Sequence, residues 1–348
     1  MFPLDERATI SKMMKKQANS KIRLVIKTII LCLSALLVPF CAISYWFRPD
    51  LLAGVTFWPA WIWALPGMLL LGLGTSRKNL KAAACVGLLW LIYLGTASEE
   101  SWSLLRRAAM TSEQFAAARS KGEAVRVVTL NCAGGSILAA AEVTQYNPDI
   151  VLLQESPSQM DVLRLAEKLF GDDAAVVWGT DGSIIVKGEA AEHSAKNRRW
   201  SSFTGAKVKL KSGPELNVLS VRFQPPDVGI GLWSSGYWRA NTAKRKERRE
   251  EVRQTAQHID KLPRSIPVIV GGDFNAPGGD SAFSPLRPRL HDTFDEGGLG
   301  WGNTVLNELP VLRYDQVWVS DDLKAVAVVA KRTNYSDHRI VICDLMFR

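Results

Sequence analysis

The sequence predicts an α/β sandwich of two packed β-sheets, preceded by N-terminal membrane-spanning helices. Three observations carry this. Uncharged apolar stretches follow one another through the N-terminal third. From Ala124 onward, short β-branched runs alternate with helically spaced segments. The formal charge of +9 is also lopsided, because residues 1–123 hold 15 Lys and Arg against 7 Asp and Glu, whereas residues 124–348 hold 28 against 27. That asymmetry argues against a broad nucleic-acid-binding surface on the C-terminal part, despite the basic total.

The apolar stretches come first. Residues 28–47 form a 20-residue uncharged run, 51–76 one of 26 residues and 82–98 one of 17. A spanning helix needs about 20 apolar residues, so three spans are expected at 28–47, 51–76 and 82–98. Trp46, Trp58, Trp61, Trp63, Trp90 and Tyr93 include aromatics placed for interfacial belts. Pro39, Pro59 and Pro66 are tolerated in membrane helices. A cleaved signal peptide fits poorly, since a long basic segment precedes the first run and no small-residue cleavage site is clear. Seven Lys and Arg precede the first span, Arg77, Lys78 and Lys81 lie between the second and third, and only Arg48 lies between the first and second. The positive-inside rule then puts the N-terminus in the cytoplasm and the C-terminal domain outside the cell membrane. If the third stretch does not span, the domain would be cytoplasmic. The expected domains are a membrane region over 1–98, a linker over 99–123 and a catalytic domain over 124–348.

Within the last of these, VRVVTLNC and IVLLQE read as buried strands flanking the helically spaced SILAAAEVTQY. SQMDVLRLAEKLF is a further helix. Later strands are expected at AAVVWG, SIIVKG, KVKLKS, LNVLSVRF, IPVIVGGDFN, YDQVWVS, AVAVVAK and RIVICDLMF, with a charged helix over Asn241–Leu262. Many strands with few helices suggest two packed sheets.

Polar islands sit at the ends of these strands: Asn131, Gln154-Glu155, Asp273-Phe274-Asn275, Asp315 and Ser336-Asp337-His338. Strand ends line the crevice in which α/β enzymes bind ligands. An oxygen-rich set of this kind suits Mg²⁺ or Mn²⁺. A histidine paired with a carboxylate suits proton transfer or phosphate contact.

The matches VVTLNC, PDIVLLQES, VIVGGDFNAP, YDQVWVS and YSDHRIVICDL, in this order over 124–348, resemble the endonuclease/exonuclease/phosphatase superfamily. That resemblance implies the DNase I-like four-layer α/β sandwich, two mixed sheets flanked by helices, and a metal-dependent hydrolase of phosphoric ester bonds. It implies metal-site roles for Asn131, Glu155 and Asp337. It implies that Asp273 orients or deprotonates water, that Asn275 binds phosphate, and that His338 faces the scissile phosphate with its tautomer fixed by Asp315. Arg222 stands where the family often has a histidine. It cannot donate a proton to a leaving group, but it can grip a phosphate oxygen. The stretch GLGWGNTVLNELPVLRYDQVWVS and the N-terminal spans are similar to a membrane-anchored bacterial subgroup that includes teicoplanin-resistance proteins.

The expected function is therefore a membrane-anchored Mg²⁺- or Mn²⁺-dependent phosphoesterase. Its partners are the lipid bilayer and a phosphate-bearing substrate, a lipid-linked phosphate or pyrophosphate first. An extracytoplasmic nuclease acting on DNA or RNA, or a non-catalytic protein that binds anionic lipid, are the alternatives. His193, His258 and His291 read as surface residues. The run Lys244–Arg253 reads as a solvated helix face, or alternatively as a basic patch toward lipid or nucleic acid, with Trp233, Tyr237 and Trp238 placed to meet a membrane interface. Cys132 and Cys343 fall in strands, where they are either free or paired with each other. Nothing in the sequence sets the oligomeric state.

Overall fold

A computed structural model describes residues 4–193, 202–229 and 231–348, with side chains from Lys12 onward. It divides into two compact units: Met1–Phe47 with Pro59–Ser98, and Arg48–Trp58 with Glu99–Arg348.

The first unit holds helices Leu4–Phe47, Ala60–Gly74 and Leu80–Ala97. Small residues let them pack closely, as membrane helices do. A Cβ on Gly67 would lie 1.9 Å from the Trp90 ring, and one on Gly74 would lie 2.6 Å from the backbone of Leu31. Ser34 ties the three helices together, donating to Gly67 O at 2.8 Å and accepting from Trp90 Nε1 at 3.1 Å. Among the described residues, two helices are long and apolar enough to cross a membrane, and a third is if a bent pair counts as one span. That pair falls on the stretch expected as the second span. The uncharged stretch 51–76 is not one helix, because Asp50–Thr56 and Ala60–Gly74 meet at a 73° bend. Pro59 caps the second piece in extended backbone, having no N–H to continue a helix from the first. The short first piece, with Arg48, joins the second unit instead.

Among the described residues the second unit contains eleven strands: β1 (Ala124–Asn131), β2 (Ile150–Gln154), β3 (Ala174–Val177), β4 (Gly182–Glu192), β5 (Phe203–Leu210), β6 (Glu215–Arg222), β7 (Val268–Asp273), β8 (His291–Asp292), β9 (Asp315–Val319), β10 (Leu323–Lys331) and β11 (Ile340–Phe347). They form one path, β10-β11-β1-β2-β4-β5-β6-β7-β9-β8, with β3 beside β4. The sheet folds over at β4, whose residues 182–186 pair with β2 and 188–192 with β5. Gly188 sits at the switch with φ +146°, and a Cβ there would meet Lys209 O at 2.1 Å. Only glycine accepts that geometry.

Alternation then builds four layers. Val125 and Val127 of β1 face Leu216 and Val218 of β6 in the core between the two half-sheets. Val128 and Leu130 face outward onto helices Ile137–Ala141 and Gln159–Phe170. Leu219 and Val221 face outward onto Val252, Ala256 and Ile259 of helix Ser235–Asp260. Each such fully buried aliphatic side chain contributes about 1.5–3 kcal/mol of transfer free energy. The stretch 99–123 is built into this unit: Ser103 Oγ donates to Gly300 O at 2.8 Å, and Thr111 and Gln114 form a capping box on helix Ser112–Ser120. Cys132 and Cys343 are free and buried.

Candidate active site

Strand direction gathers the polar islands at one edge. β1 and β2 run parallel with Asn131 opposite Gln154, so Asn131 and Glu155 emerge side by side. β6 and β7 run parallel with Arg222 opposite Asp273. β9 is antiparallel to β7, which puts its first residue, Asp315, opposite Asp273. β11 is antiparallel to β1, so His338, just ahead of it, arrives at the same edge. Parallel strands deliver their C-terminal ends there and antiparallel strands their N-terminal ends.

Asn131 is the link across the sandwich. Its Nδ2 donates to Glu155 Oε1 at 3.2 Å and to Asp273 Oδ2 at 3.1 Å, while Ser336 Oγ donates to its carbonyl at 2.7 Å. Glu155 sits at φ +45° and Asn275 at φ +53°. Left-handed backbone is uncommon outside glycine, and these two site residues are among the six non-glycine residues that adopt it among the described residues. Glu155 Oε2 accepts from Gly134 N at 2.6 Å, and its Oε1 accepts from Arg222 Nη2 at 2.8 Å. Burial raises the affinity of the Glu155 carboxylate for a proton, but Arg222, Asn131 and Gly134 outweigh it and hold the group below the ordinary range.

Asp273 is buried, with Asn275 N at 3.0 Å from Oδ1 and Asn275 Nδ2 at 2.9 Å from Oδ2. Burial pushes its pKa up to about 6, against the pull of His338. Asp315 Oδ2 lies 2.8 Å from His338 Nδ1. Burial disfavours the imidazolium of His338, yet Asp315 in contact, with Asp273 and Asp337 near, carries its pKa up to about 10. One nitrogen or oxygen from each of Asp273, Asp315 and His338 falls within 4.8 Å of the others. Asp337 is exposed beside this group, and its carbonyl accepts from Asn307 N at 3.0 Å. All eight residues expected from the sequence thus lie at one end of the sandwich.

A divalent cation fits what is present. The donors are mostly oxygens, as Mg²⁺ and Mn²⁺ require. Asp315 Oδ1 is buried with no partner among the described residues, a lone pair set aimed at nothing in the chain.

Sequence reasoning missed four contributors. Thr304 Oγ1 accepts from the backbone N of both Tyr314 and Asp315, at 3.2 and 3.1 Å, and so fixes the entry to β9. Arg248 Nε donates to Gln224 O at 2.9 Å, and Glu251 accepts from Gln224 N at 2.7 Å, pinning the chain just beyond Arg222. Arg245, 1 % exposed, donates to Asp280 Oδ2 at 2.8 Å and to Thr56 Oγ1 at 2.6 Å. So the run Lys244–Arg253 is not uniformly solvated. Arg245 and Arg248 turn inward, while Arg253 pairs with Glu250 in solvent. The signal was the helical spacing of those arginines, which places them on the face with Val252 and Ala256. His193 and His258 are half-buried and stack on each other at 5.0 Å.

The fold is DNase I-like, and this constellation lies at one end of its sandwich. Residues 128–338 match the Endonuclease/Exonuclease/phosphatase family, and the chain belongs to that family, whose members act on phosphoric ester bonds. No curated protein sequence matches the chain. An endonuclease/exonuclease/phosphatase from Bacteroides vulgatus superposes with a TM-score of 0.50 at 16% identity, over 65% of this chain and 99% of its own. A mannosyl-6-phosphatase from Bacteroides thetaiotaomicron is similar over 64% of this chain and 100% of its own, at 18% identity and a TM-score of 0.48. A humanized D. rerio TDP2 covers 64% of this chain and 99% of its own at 16% identity, with a TM-score of 0.48.

Proposed function

We propose that this chain is a membrane-anchored, divalent-metal-dependent phosphoesterase whose catalytic unit lies outside the cell membrane and acts on a lipid-linked phosphate or pyrophosphate. The observation that carries it is the buried Asp273, placed between the Asn131–Glu155 pair and the Asp315–His338 pair in a chain that also holds apolar helices.

The residues divide the work by charge. A phosphate ester is anionic and repels hydroxide. His338, held cationic by Asp315, offers a positive face to the phosphoryl oxygens. Asp273 is the group placed to accept a proton from water, with its oxygens aligned by the amides of Asn131 and Asn275. When bound, Mg²⁺ or Mn²⁺ on Glu155, Asn131 and Asp337 supplies further neutralisation of the phosphoryl oxygens. Arg222 is placed to grip a phosphoryl oxygen with its guanidinium. It suits a leaving group that departs as an anion, such as a phosphate, better than an alkoxide. The finer resemblance to teicoplanin-resistance membrane proteins accords with this reading.

Chain parity supports the outward orientation. Arg48–Trp58 and Glu99 both belong to the catalytic unit. Residues 59–98 therefore leave and return on one side, whether they cross twice or dip and come back. At about 1.5 Å per residue, the 15 residues of Ala60–Gly74 reach only some 22 Å, so a dip is possible, and parity makes the outcome independent of it. Seven basic residues ahead of the first long helix favour a cytoplasmic N-terminus, which leaves the unit outside.

The test is metal-dependent product release by full-length protein in detergent from a polyprenyl pyrophosphate, a phospholipid and double-stranded DNA, with Asp273→Ala as control. Lipid turnover that disappears in the variant is expected. Cleavage of DNA alone, or lipid turnover undiminished in the variant, overturns the reading.

A further inference from the structure

Arg222 is held by two carboxylates. Its Nη2 donates to Glu155 Oε1 at 2.8 Å, and its Nη1 lies 3.6 Å from Asp181 Oδ1. Its Nε is buried with no partner among the described residues, so the two terminal nitrogens alone hold the guanidinium. The strands set this up. Ser220 and Arg222 of β6 share the face that looks across the sandwich, where Ser220 Oγ donates to Leu153 O at 3.1 Å and accepts from Gln154 Nε2 at 3.0 Å. Gln154 at the end of β2 pairs with Gly182 at the start of β4, so Glu155 and Asp181 leave that pair side by side. A Cβ on Gly182 would lie 3.0 Å from Ser220 Oγ, and glycine lets β4 begin that close to β6. The turn ahead of β4 is also tied to the turn beyond β2. Ser156 N donates to Thr180 O at 3.2 Å, and Ser156 Oγ and Ser183 Oγ bond at 2.7 Å. Asp181 is therefore fixed in place, half-exposed, with Arg222 as its one charged partner among the described residues.

Glu155 faces two claims. Both its oxygens already accept hydrogen bonds, Oε1 from Arg222 and Asn131 and Oε2 from Gly134. A divalent cation on Glu155 uses the same oxygens and brings like charge up to the guanidinium. Arg222 and the cation thus compete for one carboxylate. Asp181 is the partner that Arg222 can keep when it gives way.

We propose that Asp181 is a positioning residue for Arg222: as Glu155 takes up a divalent cation, the guanidinium passes from Glu155 to Asp181, and the released Nη2 grips a phosphoryl oxygen. The register favours this, because Arg222 lies opposite Asp273, the residue placed to activate water. A guanidinium anchored through one terminal nitrogen still has the other to offer to phosphate. The handover rests on the metal-dependent phosphoesterase reading and adds to it a means of coupling cation binding to phosphate binding.

The experiment measures Mn²⁺ affinity of full-length protein in detergent by electron paramagnetic resonance, for wild type, Asp181→Asn, Arg222→Gln and the double variant. Arg222→Gln removes the competitor, so affinity should rise about tenfold. Asp181→Asn removes the carboxylate to which Arg222 withdraws, so affinity should fall about tenfold. In the Arg222→Gln background the same Asp181 change should have an effect within about twofold, because Asp181 acts through Arg222. With Mn²⁺ saturating, inorganic phosphate should bind Asp181→Asn and Arg222→Gln about equally weakly, each about tenfold below wild type. A loss of Mn²⁺ affinity that is the same in both backgrounds would make Asp181 a direct holder of the cation and overturn the handover. Unchanged Mn²⁺ affinity in Arg222→Gln, or wild-type phosphate affinity in Asp181→Asn, overturns it too. Wild type that binds Mn²⁺ with variants that match it sinks the handover alone. Wild type that binds no Mn²⁺ sinks the metal-dependent reading, and the handover with it.

Discussion

Replacing Asp280 by asparagine should destabilise the catalytic unit more than any other isosteric change outside the active site. Asp280 is fully buried and faces two buried arginines, Arg245 and Arg248. Burial alone would raise its pKa, but those guanidiniums outweigh it and keep the carboxyl below the ordinary range. Asparagine preserves the size of the side chain and the acceptor for Ala282 N, which lies 2.8 Å from Oδ1. What it removes is the one negative charge between two positive ones. Leaving a buried charge uncompensated costs about 3–5 kcal/mol. For a unit of this size each kcal/mol moves the midpoint by about 2–4 °C, which gives a fall of about 6–20 °C. The assay is thermal unfolding of full-length protein in detergent at pH 7, followed by tryptophan fluorescence. Arg249→Met is the control, because its pair with Asp50 at 2.8 Å is a third exposed on the arginine side. Such pairs contribute about 1 kcal/mol at most, so the control should shift by no more than about 4 °C. The carboxylate of Asp280 stabilises the fold above its unfolded pKa and ceases to do so as pH falls through its lower folded value. The gap between variant and wild type should therefore close in strong acid. An Asp280→Asn midpoint within 2 °C of wild type at pH 7 would refute the account of this cluster.

Three further outcomes are expected. Asp315→Asn removes the partner that keeps His338 cationic, so the His338 imidazole in metal-free protein should titrate back toward its ordinary value by NMR, and hydrolysis should fall about 10²–10⁴-fold; an unmoved titration would separate the two residues. His258 and His193 favour their neutral forms when folded, burial holding His258 down to about 4 and His193 below its ordinary value. The unfolded chain then takes up protons first, so the melting temperature should be level above about pH 6.5 and decline toward pH 4, with His258→Gln flattening that slope. A fragment over 99–348 lacks the acceptors that Arg48, Pro49 and Thr56 offer Arg245, and should be insoluble or melt well below the full chain; an equally stable fragment would show those contacts to be dispensable.

How much of this was legible beforehand depended on whether the signal was local. Strands β1 and β2 carry β-branched and aliphatic runs that end in Asn131 and Glu155, and a short run with a polar terminus can be read without any partner. The Asp273-Phe274-Asn275 and Ser336-Asp337-His338 islands were equally visible, and strand direction then brought them together. The bend at Phe57–Pro59 was hidden because an uncharged stretch hides a break that only the extended backbone of Pro59 itself reveals. Arg245 and Arg248 were misread because their counter-charge, Asp280, lies on another element. A charge run looks solvated until its partner is known. Thr304 had no motif at all, since its role is to accept two backbone N–H groups from a neighbouring strand, which any Ser or Thr at that point in space could do.

The way the catalytic unit closes over Arg48–Trp58 also sets an order of events during synthesis. That segment leaves the ribosome well before Arg245, whose bond to Pro49 O spans 196 positions. Until the helix Ser235–Asp260 arrives, Phe57 and Thr56 wait uncovered, and the sandwich has no finished wall. A cell producing this protein therefore carries a period in which that segment has been made but its enzyme is unassembled. Gene fusions cut at the boundary before Glu99 would leave that wait without an end.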